Sequence, residues 1–227
     1  MRQISRAVCL LVSALVALVA IACGSAASPT APDKPTPTAA LPPLDEMLAD
    51  QTLGDPSKNT IIEYVSFACP GCRTFYLSGE GSQIKSQFVD TRQAQLVFRN
   101  LFLGSENRNA AMLARCAGKS RFFDAATTIF QNQASWKGAD DHAIAQVMLQ
   151  FGMSQAVIDS CVATTALRDR LEQVARDALA ATYDMPDGTT TIGITYVPAV
   201  VVNGVKLDSS SSDNPPTLAN IRKYLRQ

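Results

Sequence analysis

The stretch NTIIEYVSFACPGCRTFY, residues 59–76, decides how the rest of the chain is read. Ile61, Ile62, Tyr64, Val65 and Phe67 are β-branched or aromatic and nearly continuous, the pattern of a strand buried on both faces. The chain then turns at Ala68-Cys69-Pro70-Gly71-Cys72. Pro70 suits the first turn of a helix, where a missing N–H leaves nothing unsatisfied. Cys69 is therefore expected at a helix N-terminus, where unpaired N–H groups and the helix dipole stabilise an anion. The reactive form of cysteine is such an anion, the thiolate. Cys72 falls about one turn further on, within disulfide reach of Cys69. This is the arrangement that dithiol–disulfide exchange requires.

A lone CxxC is a weak signal in a chain of 227 residues with six cysteines. Its position after a strand and before a helix sharpens it. A structural disulfide and half of a zinc site use the same residues. Zinc wants a second close pair of ligands, and the sequence has no other CxxC and a single histidine, His142. Haem attachment needs His after the second Cys, and that residue is Arg73. No metal or cofactor is expected.

Upstream, residues 1–22 read as a signal segment: Arg2 and Arg6 precede an apolar run that is short for a membrane span and contains Cys9. Val19-Ala-Ile-Ala-Cys23 resembles a bacterial lipobox, with Ala20 where Leu is usual, which makes Cys23 a candidate lipidation site. Ala20-x-Ala22 serves ordinary signal cleavage equally. Residues 23–43 are rich in Pro, Ser, Thr and Ala without apolar period, and read as a semi-extended tether. Residues 44–227 suffice for one domain. Twenty basic and twenty acidic residues are dispersed through the chain, with no stripe suited to nucleic acid or a membrane surface.

Within that domain, Leu44 to Leu53 reads as a helix before a Gly54-Asp55-Pro56 turn. Gln95 to Arg99 reads as a second strand, parallel to the first through a βαβ crossover. From about 104 to 183 the pattern turns helical, with five segments, including Phe122–Gln133. Strand character returns at Thr195–Val197, breaks at Pro198 and resumes through Ala199–Val202. Asn203-Gly204 is a type I′ hairpin signal leading to Val205–Leu207, and a helix closes the chain from Pro216 to Leu225. The order βαβ, helical insertion, ββα is an α/β thioredoxin fold with an inserted helical subdomain.

The segments TLGDPSKNTIIEYVSFACPGC (52–72), VFRNLFL (97–103) and TYVPAVVVNG (195–204) resemble the DsbA-like thiol–disulfide oxidoreductases of bacterial envelopes, and FFDAATTIFQNQASW (122–136) resembles that family's helical domain. The resemblance spans residues 52–208. It implies that Cys69 is the nucleophile and Cys72 its buried partner, and that Val197-Pro198 is a cis-proline loop facing them. It also implies that Glu63, beneath the cysteines, relays a proton to or from Cys72. A carboxylate paired with a buried Lys or Arg is the plainer reading of Glu63. The departure from the best-known members is Gly71, where they carry His. The implied partners are protein thiols and a membrane redox partner that recycles the site, the implied location the periplasmic side of the cell envelope, and the implied state a monomer. A reductase or isomerase, or a thioredoxin-like binding module whose disulfide is only structural, uses the same residues. Cys116 and Cys161 remain, and in an oxidising compartment two leftover cysteines pair. Arg73 reads as a solvated helix position and His142 as the start of a surface helix.

Overall fold

The computed structural model describes residues 40–102, 106–210 and 212–227. The signal segment, Cys23 and most of the tether lie outside them. A mixed sheet of seven strands runs in the order β1-β3-β2-β6-β7-β4-β5, with β1 at Gln51–Leu53, β2 at Thr60–Val65, β3 at Gln95–Asn100, β4 at Thr182–Asp184, β5 at Thr190–Ile192, β6 at Ala199–Val202 and β7 at Val205–Asp208. The central β2 pairs parallel with β3, from Thr60 opposite Gln95 to Val65 opposite Asn100. On its other side it pairs antiparallel with β6, where Glu63 faces Val200. The β6–β7 hairpin turns at Asn203 (φ 51°) and Gly204 (φ 99°), the left-handed pair that a type I′ turn demands.

Helices cover both faces. α1 is Leu44–Leu48, α2 is Pro70–Ser78 and α3 is Gly81–Ile84, which runs into a π-helical turn at Lys85–Val89. Between β3 and β4 lie α4 (Glu106–Cys116), α5 (Phe122–Gln131), α6 (Gln133–Trp136), α7 (Asp141–Phe151), α8 (Gln155–Val162) and α9 (Thr165–Ala180); α10 (Leu218–Lys223) closes the chain. One core cluster joins Ile61, Phe75, Phe88, Val200 and Ile221. The other joins Tyr64, Phe67 and Phe98 to the inserted helices.

Three expected elements differ. The helix expected over Leu44–Leu53 stops at Leu48, because the Arg115 guanidinium and the Gln51 side chain take the carbonyls at its end. Gln51–Leu53 instead pairs with the open edge of β3. The helix expected over Phe122–Gln133 breaks at Asn132, whose side chain donates to Thr128 O at 2.9 Å while Trp136 Nε1 donates to Ile129 O at 3.0 Å. Thr195–Val197 is a bend rather than a strand. The strands that extend this side of the sheet are β4 and β5, which short polar segments do not announce.

Candidate active site

Cys69 is the N-cap of α2 and Pro70 its first residue. The N–H of Cys72 donates to Cys69 Sγ at 3.3 Å. Cys69 is half-buried and Cys72 fully buried, and both are free thiols here. The two sulfurs titrate apart. A hydrogen bond from the Cys72 thiol lowers the Cys69 pKa most; the N–H groups of Cys72 and Gly71 and the charge of Lys137 add to it. Partial burial opposes them, and the net result is a fall from the ordinary 9.0 to about 6. Burial drives the Cys72 thiol far upward, and its bond to Cys69 adds to that. The Ser66 N–H, at 3.4 Å from Cys72 Sγ, works the other way.

The Val197–Pro198 peptide bond is cis, and the Cys69 thiol points at Val197 O, 3.7 Å away. Strand β7 holds both ends of this loop. Lys206, buried and paired with Asp208 at 2.9 Å, donates to Gly193 O at 3.1 Å, and Ser209 Oγ donates to Pro198 O at 3.2 Å. A groove of about 680 Å³ opens at the sulfur, lined by Cys69, Gly71, Tyr196, Val197, Pro198 and Pro215. A Cβ at Gly71 would meet only ordinary contacts, Cys69 Sγ and Pro198 Cδ at 3.7 Å each.

Glu63 is 1 % exposed, and its Oε2 has no hydrogen-bond partner among the described residues. It is not the paired carboxylate that the plainer reading expects. It borders a cavity of about 970 Å³ lined also by Tyr76, Lys85, Phe123, Asp124 and Thr127. Burial alone raises its pKa from the ordinary 4.5 to about 8. The folded protein then holds this proton more tightly than the unfolded chain, so the contribution of Glu63 to stability is full below pH 4.5 and falls as pH rises towards about 8. Glu63→Gln is expected to flatten that slope in the oxidised protein, where Cys69 does not titrate, and to be the more stable form at pH 8. Urea unfolding at a series of pH values reads this; parallel slopes would contradict it.

The helical insertion also reaches the site. Arg73 turns its Nε to Phe130 O at 3.0 Å, and the Phe130 ring stacks on Phe67 and Tyr76 at 4.9 Å each. Gln133 donates from Nε2 to Phe67 O at 2.6 Å and Cys69 O at 3.0 Å. Neither Gln133 nor Lys137 stands out in the sequence, because each acts across more than sixty residues of chain, as the Gln133 contacts show with separations of 66 and 64. His142 sits exposed in the first turn of α7, its N–H bonded to Asp140 Oδ1 at 3.1 Å. Cys116 and Cys161 form a disulfide between α4 and α8, with Cα atoms 6.1 Å apart.

A Rickettsia typhi protein named as a protein-disulfide oxidoreductase is 27 % identical over 169 residues, 73 % of this chain and 58 % of that one. This chain thus spans less than two thirds of that relative's length. The solved protein-disulfide isomerase of Novosphingobium aromaticivorans superposes with a TM-score of 0.61 at 23 % identity, covering 77 % of this chain and 94 % of that one. Wolbachia pipientis alpha-DsbA1 superposes with a TM-score of 0.57 at 23 % identity, covering 71 % and 76 %. These two likenesses are of fold. The family model described as thioredoxin matches residues 48–225, from the end of α1 through the closing helix, and this chain belongs to that thioredoxin family.

Proposed function

We propose that this protein is a thiol–disulfide oxidoreductase of the bacterial cell envelope that forms disulfides in exported proteins. The observation that carries the reading is the asymmetry of the CPGC pair: a half-exposed sulfur of pKa about 6 beside a fully buried one whose pKa is raised. In the oxidised form, a substrate thiolate attacks Cys69 Sγ, the Cys69–Cys72 bond breaks, and Cys72 leaves with the electron pair and takes up a proton. Its high thiol pKa makes that proton necessary, and the protonated Glu63 carboxyl is the donor we assign. A second substrate thiolate then attacks the substrate sulfur of the mixed disulfide, and Cys69 leaves as a thiolate. Two electrons pass to the protein, and a membrane redox partner recovers them. A low-pKa leaving group speeds this last step. The Val197 carbonyl and the groove beside it suit an extended peptide carrying the attacking thiol.

Reduction or isomerisation is the second reading. It is favoured by Gly71, which supplies no side-chain donor or charge to the thiolate beyond its backbone N–H, so the disulfide is less oxidising than one flanked by His. We also assign lipid anchoring through Cys23 on the periplasmic side, supported by the lipobox-like sequence and the Pro-rich tether that follows it.

Alkylation of the reduced protein across pH 5–9 should label Cys69 with a midpoint near pH 6 and leave Cys72 unlabelled. Equilibration with glutathione should give a potential above about −300 mV, the upper bound of structural disulfides. A lower potential, together with inertness to thiols, would leave the CPGC bond a structural staple and this reading wrong.

A further inference from the structure

One side chain of the insertion hydrogen-bonds both ends of the redox turn. Gln133 is 5 % exposed, and its amide nitrogen serves the carbonyls of Phe67 and Cys69 together. An amide NH₂ has two hydrogens, so one side chain can satisfy both acceptors. These carbonyls bracket the turn that leads from β2 into α2. The Cys69 carbonyl also begins the helix, accepting from the Arg73 N–H at 3.1 Å. The backbone at residues 67–69 sets where the Cys69 Cβ points. That direction decides whether Sγ meets the Cys72 N–H at 3.3 Å or swings away from it.

Gln133 is itself held firmly. α6 is a single turn, tied back to α5 by the fully buried Trp136 indole donating to Ile129 O at 3.0 Å. α5 is tied to α2 by the Arg73–Phe130 O bond and the Phe67–Phe130–Tyr76 ring stack. The amide thus stands on a frame fixed to the helix whose N-terminus it serves. It has an electrostatic consequence as well. Two carbonyl oxygens near a thiolate repel it, and a donor bound to both withdraws part of that negative potential.

We propose that Gln133 is a positioning residue of the redox site. By bridging the Phe67 and Cys69 carbonyls, it fixes the turn that presents Cys69 Sγ to the α2 N–H groups, so the helical insertion sets the nucleophilicity of the cysteine. The inference rests on the exchange reading of Cys69 and Cys72, and its test separates the two.

Gln133→Met keeps length and bulk without the donors. Gln133→Glu is isosteric and, when ionised, puts a third acceptor against two carbonyls. In Gln133→Met the Cys69 pKa, read from the pH dependence of alkylation, should rise by about one unit. The equilibrium with glutathione should shift about tenfold towards the disulfide, and Gln133→Glu should shift both further in the same direction. If either variant folds with a lower melting temperature but keeps the wild-type Cys69 pKa and glutathione constant, Gln133 only stabilises the fold and the proposal fails. The alkylation readout needs no exchange activity, so a wild-type protein inert to glutathione sinks the functional reading and still leaves Gln133 tested.

Discussion

Cys72→Ala is expected to accumulate as mixed disulfides with disulfide-bonded protein partners, its Cys69 thiolate attacking a partner disulfide and expelling one partner thiolate, and Cys69→Ala to lose exchange altogether. The reason is the division of labour between the two sulfurs. Cys69 alone is within reach of a partner, at the mouth of the groove beside Val197 and Pro198. Cys72, with no exposed surface, is bonded to Cys69 and the Ser66 N–H inside the core. On the proposed reading, a mixed disulfide at Cys69 is reversed by Cys72 from within the molecule. Well-oriented intramolecular attack is worth effective concentrations of about 10⁵ M or more, which no solution thiol supplies. Without Cys72 the adduct should persist, visible on a non-reducing gel as higher-mass species that collapse with reductant. Cys69→Ala removes the electrophilic sulfur, and the exchange rate should fall on the order of a thousand-fold or more. Free Cys72→Ala with no adduct, while Cys69 still alkylates, would mean that the groove receives no protein disulfide.

The second large effect concerns the other cysteine pair. Cys116 and Cys161 close a loop of 45 residues between α4 and α8. Constraining a loop of that length removes unfolded-state entropy worth roughly 4 kcal/mol at 25 °C. The double variant Cys116→Ser/Cys161→Ser should lose about that much, since both positions are fully buried and two hydroxyls are placed among apolar neighbours. Chemical denaturation of the oxidised proteins measures the loss. The Cys69 pKa and the glutathione equilibrium should not move, because the cross-link touches none of the groups that set them. Wild-type stability in the double variant would show that the inserted helices hold together by packing alone.

The parts of this protein legible in its sequence are those written in local chemistry. The apolar run at Ile61–Phe67, the proline after Cys69 and the Asn203-Gly204 pair each specify a backbone shape within a few residues, and the structure has a strand, a helix start and a type I′ turn at those places. Five helical segments of the insertion follow the same rule, through apolar spacing and caps such as Asp140 and Ser154; the break that makes α6 a separate helix does not. The strands at Gln51–Leu53, Thr182–Asp184 and Thr190–Ile192 were not legible, because each is only three residues long and is specified by the sheet edge it completes. The same is true of the site's electrostatics. That Glu63 lies unpaired beside a cavity, that Arg73 turns to Phe130 O, and that Gln133 and Lys137 bear on Cys69 are facts of side chains far apart in sequence and close in space. Residue type and spacing place Cys69 at a helix N-terminus and make it the candidate reacting sulfur, since that arrangement is local. The surrounding charges and donors that tune it come from long-range packing, which no short window of sequence contains.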